Sequence, residues 1–599
     1  MNNSDAIAVI GFAARVPGAE TAEEFWHNVK DGKCAIETVK EAVSSTSPHY
    51  VDKTFPLKEA TCFDAAHFGI SPAEAKMMDP QQRVFLETSW HALEHAGYGQ
   101  SDDTLNTGIF ACAGFNDYAT KHVKPHSYHQ GGAEYFRMLV NSDKDFIATK
   151  TAYYLNLKGP AVCVQSACSS GLLAVHLAVQ SLLQGESDMA LTGGAAVCLD
   201  LESGYAAEPG GPMSPTGRVA PFDVTADGII GGNGTAAVIL KRLDDAIESG
   251  DTIHAVIHAT AANNDGFDKA GLAAPSVKGQ NSVLAEALAL SGLSADDIRY
   301  IETHGTGTHL GDPIEFESIR HIYGEASQAC YLGSSKANIG HLNTVSGVIG
   351  LIKAIFTVRE RQIAPLCHFS QPNPELPLEG SRFHFNQHCI PWAEDQKVPF
   401  AAVSSFGIGG TNVHAIISGP PVLRTQEPAK NERPHVLCWS ANTEQQANLQ
   451  RQSLAQCLRQ SPDSLADAEY TLWAGRTHLA KRQASVLNSQ QDAAQWLTGE
   501  SVLRSARTDK HQRREAVFLF PGQGSQFAGM GNSLYLHESS FRKRIDTAAL
   551  YLQPLLGYDI RTVMFGNDEE ALRATLNTQL CLFIVEYGVA ELLINKGVQ

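Results

Sequence analysis

Short apolar runs alternate with longer, helix-like stretches along roughly the first 418 residues of the chain. The runs at 7–10, 189–191, 236–241, 254–259 and 414–417 have the length and apolar density of buried or half-buried strands. Asp79-Pro80 and Asp312-Pro313 each put a proline in a first helical turn behind an aspartate cap. Residues 159–166 and 298–302 read as strands, and 169–183 as a helix that is apolar on most faces. Strands and helices in alternation, with glycine-rich turns between them, predict an α/β fold.

The pattern changes at Ser418-Gly419-Pro420-Pro421, and a polar segment with two further prolines follows over 423–434. Residues 435–515 are rich in Gln, Arg and Ala, as in Glu444-Gln445-Gln446, Gln450, Gln452 and Gln456, and read as small helices with one or two strands. A new strand, Glu515-Ala516-Val517-Phe518-Leu519-Phe520, then opens a third region. The expected division is 1–418, 419–514 and 515–599.

Composition narrows the picture. A chain of 599 residues exceeds one ordinary core, and 43% hydrophobic with 18% charged residues is a globular composition. The net charge of −18, with no Lys/Arg-rich block, argues against nucleic acid or an anionic membrane as a main partner. It leaves room for a local basic patch that receives an acidic carrier protein. The twelve cysteines are scattered without a CxxC pair, so neither a zinc site nor a redox pair is expected. The N-terminus reads as a first strand, not a signal peptide. The longest apolar stretch, 345–356, is broken by Lys353, so no membrane span and a cytoplasmic location are expected.

Three small motifs carry the candidate chemistry: Val164-Gln165-Ser166-Ala167-Cys168-Ser169-Ser170-Gly171, then Glu302-Thr303-His304-Gly305-Thr306-Gly307-Thr308, then Lys336-Ala337-Asn338-Ile339-Gly340-His341. Cys168 falls at a strand-to-helix elbow, where the helix dipole and free amides favour a thiolate. A thiolate attacks a thioester well, and two imidazoles can donate to an oxygen that becomes negative. His341 ends its motif and starts an apolar helix, and Lys336 beside two histidines would hold them neutral. Taken singly, each residue has a plain alternative. Cys168 could be a small buried cysteine in a tight turn, as Cys163 is read to be plain core. His304 could be a satisfied loop histidine, and the Lys336–His341 stretch a capping segment with a surface lysine. A fourth element, Ser404-Ser405-Phe406-Gly407-Ile408-Gly409-Gly410-Thr411-Asn412, can flex and offer an amide, or be a turn before the last strand.

In this order and spacing the motifs resemble the active site of a β-ketoacyl synthase. Residues 1–418 resemble the ketosynthase domain of modular polyketide synthases, with Asp79-Pro80-Gln81-Gln82-Arg83, Pro221-Phe222-Asp223, Asn263-Asn264-Asp265-Gly266 and Gly311-Asp312-Pro313-Ile314-Glu315 as further matches. The resemblance implies a thiolase-like ketosynthase fold and a decarboxylative Claisen condensation of a Cys168-bound acyl chain with a malonyl-type extender. It implies that His304 and His341 serve decarboxylation and condensation, supported by Lys336 and Glu315, and that Thr306 and Thr308 meet a phosphopantetheine arm. It also implies that the amides of Cys168 and Ile408 form an oxyanion hole. No metal or bound cofactor is implied, since the arm belongs to the carrier protein. The implied partners are upstream and downstream acyl carrier proteins, a separate acyltransferase, and a second copy in a homodimer.

Residues 419–514 resemble the small α+β linker between ketosynthase and acyltransferase, marked by Tyr470-Thr471-Leu472, Gly475-Arg476 and Lys481-Arg482. From 515 the chain resembles the start of an α/β acyltransferase, through Phe520-Pro521-Gly522-Gln523-Gly524-Ser525-Gln526. The Gly-His-Ser-x-Gly elbow and later histidine of such enzymes do not follow, so a truncated or vestigial fragment that does not load malonyl groups is expected. Gln165-Ser166, Ile408 and Gly231-Gly232-Asn233-Gly234 look more like ketosynthases of hybrid peptide–polyketide or trans-acyltransferase type. Two other readings stay open: a ketosynthase that transfers acyl chains without extending them, and a docking scaffold for a separate acyltransferase or carrier.

Overall fold

The apolar runs of the N-terminal region pair into one sheet of eleven strands. The computed structural model describes residues 5–39, 47–99, 104–123, 132–422, 434–460, 465–487, 504–507 and 516–598. In chain order the strands of this sheet are β1 (Ile7–Arg15), β2 (Thr107–Ala113), β3 (Ala161–Cys163), β4 (Met189–Ala196), β5 (Gly234–Arg242), β6 (Ala255–Asn264), β7 (Ile298–Glu302), β8 (Cys330–Gly333), β9 (Phe383–His384), β10 (Phe400–Phe406) and β11 (Thr411–Ser418). Across the sheet the order is β9-β8-β7-β10-β11-β6-β1-β5-β4-β2-β3. Pairing is parallel among the four strands from β9 to β10 and among β4, β2 and β3. Every pair between those flanks is antiparallel.

Successive side chains of a strand point to opposite faces, and here both faces are covered. Ile7 and Val9 join one apolar cluster, while Ala8 and Ile10 join a second that includes Val84, Phe85 and Leu93 of helix α1 (Pro80–His95). Asp79 caps α1 as the sequence predicts, its carboxylate accepting from Gln81 N at 2.7 Å.

Two strand–turn–helix passages repeat within the sheet. β3 leads through a turn into α2 (Ser170–Leu183); β8 leads through a longer turn into α5 (Ser346–Glu360), with α3 (Gly311–Tyr323) and the short α4 (Lys336–Ile339) preceding it. α2 and α5 share the first apolar cluster, through Leu172, Val175, Val348 and Ile352. Their first turns press together. A Cβ on Gly171 would lie 2.8 Å from Thr344 O, and one on Gly347 would lie 2.8 Å from the Leu172 Cβ, so both positions need the absence of a side chain.

Two helix starts differ from the sequence reading. Asp312 lies inside α3, whose N-cap is Leu310, and its buried carboxylate instead accepts from Phe222 N at 2.7 Å and Gly307 N at 3.0 Å. The long apolar helix begins at Ser346, not at His341, because a 3-10 turn at Asn343–Val345 intervenes.

The chain divides into two compact units: Met1–Glu427 with Asp467–His478, and Pro428–Ala466 with Leu479–Gln599. Within the first, the Gly475-Arg476 mark lies against α1: Gly99 N donates to Gly475 O at 3.3 Å, and Arg476 donates to Glu94 O. The second holds an antiparallel sheet of three strands, β12 (His435–Ala441), β13 (Lys481–Leu487) and β14 (Arg504–Arg507), with helix α6 (Glu444–Gln460) packed on it. It also holds a helical cluster that includes α7 (Ser539–Leu556) and α8 (Thr575–Asn595), around Phe541, Ile545, Cys581 and Ile584.

One expectation for the C-terminal region is corrected. Residues 516–520 form no strand, and Val517 and Leu519 are 80% and 88% exposed, since no described strand lies beside them to complete a ladder. Of the polar segment at 423–434, residues 423–433 lie outside the described residues. By length and composition alone α8, with 21 residues and a mean hydropathy of 1.3, is apolar enough to cross a membrane. Isolated polar residues such as Glu586 interrupt its apolar run, which hides it from a search for continuous runs. In the structure α8 buries Cys581, Leu582 and Ile584 within the helical cluster.

Candidate active site

Cys168 occupies the turn between β3 and α2. Ala167 before it has φ 53°, a left-handed conformation that costs a non-glycine residue about 1 kcal/mol or more. Hydroxyl groups hold the turn in that shape. Ser170 Oγ accepts from Ser166 N and donates to Ala167 O, both at 2.7 Å, and Ser405 Oγ donates to Cys168 O at 3.0 Å. A Cβ on Gly407 would lie 2.3 Å from Ser166 O, so glycine lets the Ile408 loop reach the elbow. The Ile408 side chain is 60% exposed, whereas its N–H and that of Cys168 both serve the Cys168 sulfur. Burial pushes the Cys168 thiol up, and the Ile408 N–H, the Lys336 charge and the Cys168 N–H pull it back. The helix-terminus argument alone therefore overstates how acidic the thiol is.

His304 follows β7, and its position is fixed from its own backbone. Its N–H donates to Glu315 Oε1 at 2.6 Å, the Gly305 N–H donates to Glu315 Oε2 at 2.7 Å, and Lys336 Nζ donates to His304 O at 2.5 Å. Burial raises Glu315 to about 7, while the two amides and Lys336 act against it. Lys336 is 4% exposed, which excludes the surface-lysine alternative. Burial lowers its pKa, and the carboxylates Glu302 and Glu315 oppose that.

The two imidazoles stand edge to face, with ring centroids 5.8 Å apart and planes at 83°. Burial and the Lys336 charge hold His341 down to about 3 and hold His304 well below the ordinary histidine range, so both are neutral at physiological pH. The hydrogen bonds of His341 settle its tautomer. Its Nδ1 accepts from Asn343 N at 2.9 Å, and a backbone N–H can only donate. The ring proton of His341 therefore sits on Nε2. The Nδ1 atom of His304 is buried without a hydrogen-bond partner.

Thr306 and Thr308 extend from His304 and share one hydrogen bond, Oγ1 to Oγ1, at 3.0 Å; Thr308 Oγ1 also accepts from Gly311 N at 3.1 Å. One hydroxyl proton of the pair is left to meet an acceptor. Behind them lies a buried ion pair that the sequence reading did not assign. Lys353 Nζ of α5 stands 2.8 Å from Glu302 Oε2, and both residues are at most 1% exposed. Glu302 also accepts from Tyr300 Oη at 2.5 Å and from Ser335 N at 2.7 Å, which ties the end of β7 to the residue before α4. A lysine inside an otherwise apolar helix was the available signal, because a buried charge needs a partner.

The structure thus gathers Cys168, Ile408, His304, His341, Lys336 and Glu315 around one locus, with Thr306 and Thr308 on the His304 loop. Cys163, read as core, is half-buried and donates to Asp145 O at 3.0 Å.

Comparison with known proteins accords with this arrangement. The models for the beta-ketoacyl synthase N-terminal and C-terminal domains match residues 4–246 and 254–370, the ketoacyl-synthetase C-terminal extension matches 372–486, and the acyl transferase domain matches 517–599. The ketosynthase from module 1 of the bacillaene synthase of Bacillus amyloliquefaciens is 36% identical with a TM-score of 0.76, over 83% of this chain and 89% of that one. Ketosynthase twelve from the same polyketide synthase is 33% identical with a TM-score of 0.77, over 84% and 91%. A phenolphthiocerol/phthiocerol polyketide synthase of Mycobacterium tuberculosis is 39% identical over 99% of this chain, which spans 42% of that protein's length. The chain belongs to the β-ketoacyl synthase family, as a ketosynthase of the polyketide synthase type. It is a transferase with the thiolase-like ketosynthase fold, followed by part of an acyltransferase domain.

Proposed function

We propose that Cys168 takes an acyl chain from one carrier protein and that the chain is extended there by decarboxylative Claisen condensation. The Cys168 thiolate attacks the thioester carbonyl of the incoming chain, the Cys168 and Ile408 amides receive the oxyanion, and the carrier thiol leaves. A malonyl-type thioester on a second carrier follows, its phosphopantetheine arm beside Thr306 and Thr308. As its carboxylate leaves as CO2, the His304 and His341 imidazoles hydrogen-bond the enolate oxygen. The enolate carbon attacks the acyl-Cys168 carbonyl, the sulfur is released, and a β-ketoacyl carrier protein results.

The observation that carries this reading is the tautomer of His341. Asn343 N donates to its Nδ1 at 2.9 Å, which leaves a fixed Nε2–H donor on an uncharged ring. The shared Thr306–Thr308 bond, which leaves a hydroxyl proton free, fits a polar arm alongside. In this reading 1–418 is the ketosynthase, 419–514 the linker and 515–599 the acyltransferase fragment. The partners are two carrier proteins, a separate acyltransferase that supplies the extender, and a second copy of the chain.

The test is a single turnover. Protein acylated on Cys168 is mixed with malonyl-loaded carrier protein, and the carrier is followed by mass spectrometry. A β-ketoacyl carrier, formed as the acyl group leaves the protein, is expected. Acyl-Cys168 that persists unchanged beside malonyl carrier would overturn the reading.

A further inference from the structure

Two cysteines from distant parts of the chain meet beside the turn that carries Lys336 and His341. Cys34 is half-buried and packs on the apolar cluster that contains Cys367, which is 7% exposed. Their sulfurs lie within hydrogen-bonding reach of each other, and the His368 ring bonds to the same Cys34 sulfur. The Cys367 thiol has a second acceptor, Gly32 O at 3.3 Å. His368 is held at φ 63° and through Nδ1 to Val219 O at 3.1 Å, and because a carbonyl only accepts, that nitrogen is protonated.

The charges suit a reactive pair. The Cys367 hydrogen bond, and after it His368, draw the Cys34 thiol down to about 5 against burial. Cys34 in turn pushes Cys367 up and raises His368. The two thiols are thus displaced in opposite directions.

Access and coupling come from the same place. Cys34 lines a cavity of about 200 Å³ together with Lys33, Asn338 and Ile339. Asn338 is 1% exposed and its Oδ1 has no hydrogen-bond partner, an unmet acceptor at the edge of that cavity. Asn338 is also clamped to the Cys34 segment. Ala35 N donates to Asn338 O at 2.7 Å, and Asn338 Nδ2 donates to Lys33 O at 2.8 Å. Asn338 lies in α4, between Lys336 and His341.

We propose that Cys34 and Cys367 form a hydroperoxide-responsive dithiol whose disulfide slows the condensing site. The Cys34 thiolate attacks one oxygen of a hydroperoxide ROOH, the O–O bond breaks, and the leaving alkoxide takes a proton from His368 to depart as ROH. Cys34 becomes a sulfenic acid. The Cys367 sulfur attacks it, an S–S bond forms, and water leaves with the thiol proton. Two thiols are oxidised by two electrons, and the peroxide is reduced to alcohol and water. The sequence expectation of no redox pair followed from the lack of a CxxC motif, which cannot register partners brought together by the fold.

The test uses the full chain with Cys168→Ala, so that the active-site thiol does not react. After hydrogen peroxide treatment and blocking of free thiols, a Cys34–Cys367 cross-linked peptide is expected. The intact protein should be lighter by two hydrogens, reversibly with dithiothreitol. Cys34→Ser should lose the link, and Cys367→Ser should leave a Cys34 sulfenic acid that dimedone traps. Oxidation of the exposed Cys62, Cys389 and Cys457 while Cys34 and Cys367 stay reduced would overturn the proposal. For the coupling, protein already acylated on Cys168 is oxidised and then given malonyl carrier. A several-fold slower condensation than in Cys34→Ser treated alike is expected, and equal rates would overturn it.

Discussion

The two strand–turn–helix passages of the large sheet differ in what their turns hold. The turn from β3 into α2 is built from hydroxyls and amides around one sulfur, with no charged side chain among Ser166, Ala167, Cys168, Ser169 and Ser170. The turn from β8 into α5 buries a cation, Lys336, and an imidazole, His341, and sits against His304 from the neighbouring β7. Under the proposed function, one passage shapes a covalent holding site and the other supplies charge and neutral N–H donors. Acyl capture and carbanion chemistry are therefore assigned to different parts of the sheet, and substitutions should separate them.

The largest effect expected is on Cys168. Cys168→Ala should lower acyl loading by at least about a thousandfold, read by intact mass with an acyl-thioester donor, since the serine hydroxyls of that turn are weak nucleophiles beside a thiol. Persistent loading in that variant would erase the distinction between the two passages. Lys336→Met comes next, with condensation down by about a hundredfold and a changed pH profile. The Lys336 charge depresses both histidines, so without it their pKa values rise and the rings take up protons at higher pH. The acid limb of the condensation rate should then move upward in pH, which a rate–pH series checks; an unmoved limb would detach Lys336 from the imidazoles.

Glu302→Gln should act on stability. It leaves Lys353 buried without its counter-charge at 0% exposure, which costs about 3–5 kcal/mol and lowers Tm. Glu302→Gln combined with Lys353→Met should recover much of that loss in the same melting assay. The smallest effect expected is Gly347→Ala, which forces the first turns of α2 and α5 apart and costs about 1–3 kcal/mol in a denaturant titration.

Much of this was legible along the chain. Strands β1, β4, β5 and β11 were visible as apolar runs, and Cys168, His304, Lys336 and His341 as local motifs, because each signal lies within a few consecutive residues. What was missed depends on residues far apart in sequence. Asp312 looked like a cap, since only the fold brings Phe222 N and Gly307 N to its carboxylate. Lys353 looked like a break in an apolar run until Glu302 appeared beside it. The Val517–Phe520 segment has strand composition, but a strand also needs a neighbour, which no local pattern supplies. Cys34 and Cys367 carry no spacing signal at all.

The measurement that bears most directly on the division of labour is a single turnover with His304→Ala. The variant is incubated with acyl donor, its acylation is measured by intact mass, and malonyl-loaded carrier is then added. Acylation to the wild-type extent with no β-ketoacyl carrier formed is the result this account predicts. A variant that cannot be acylated, or one that extends the chain at the wild-type rate, would contradict it.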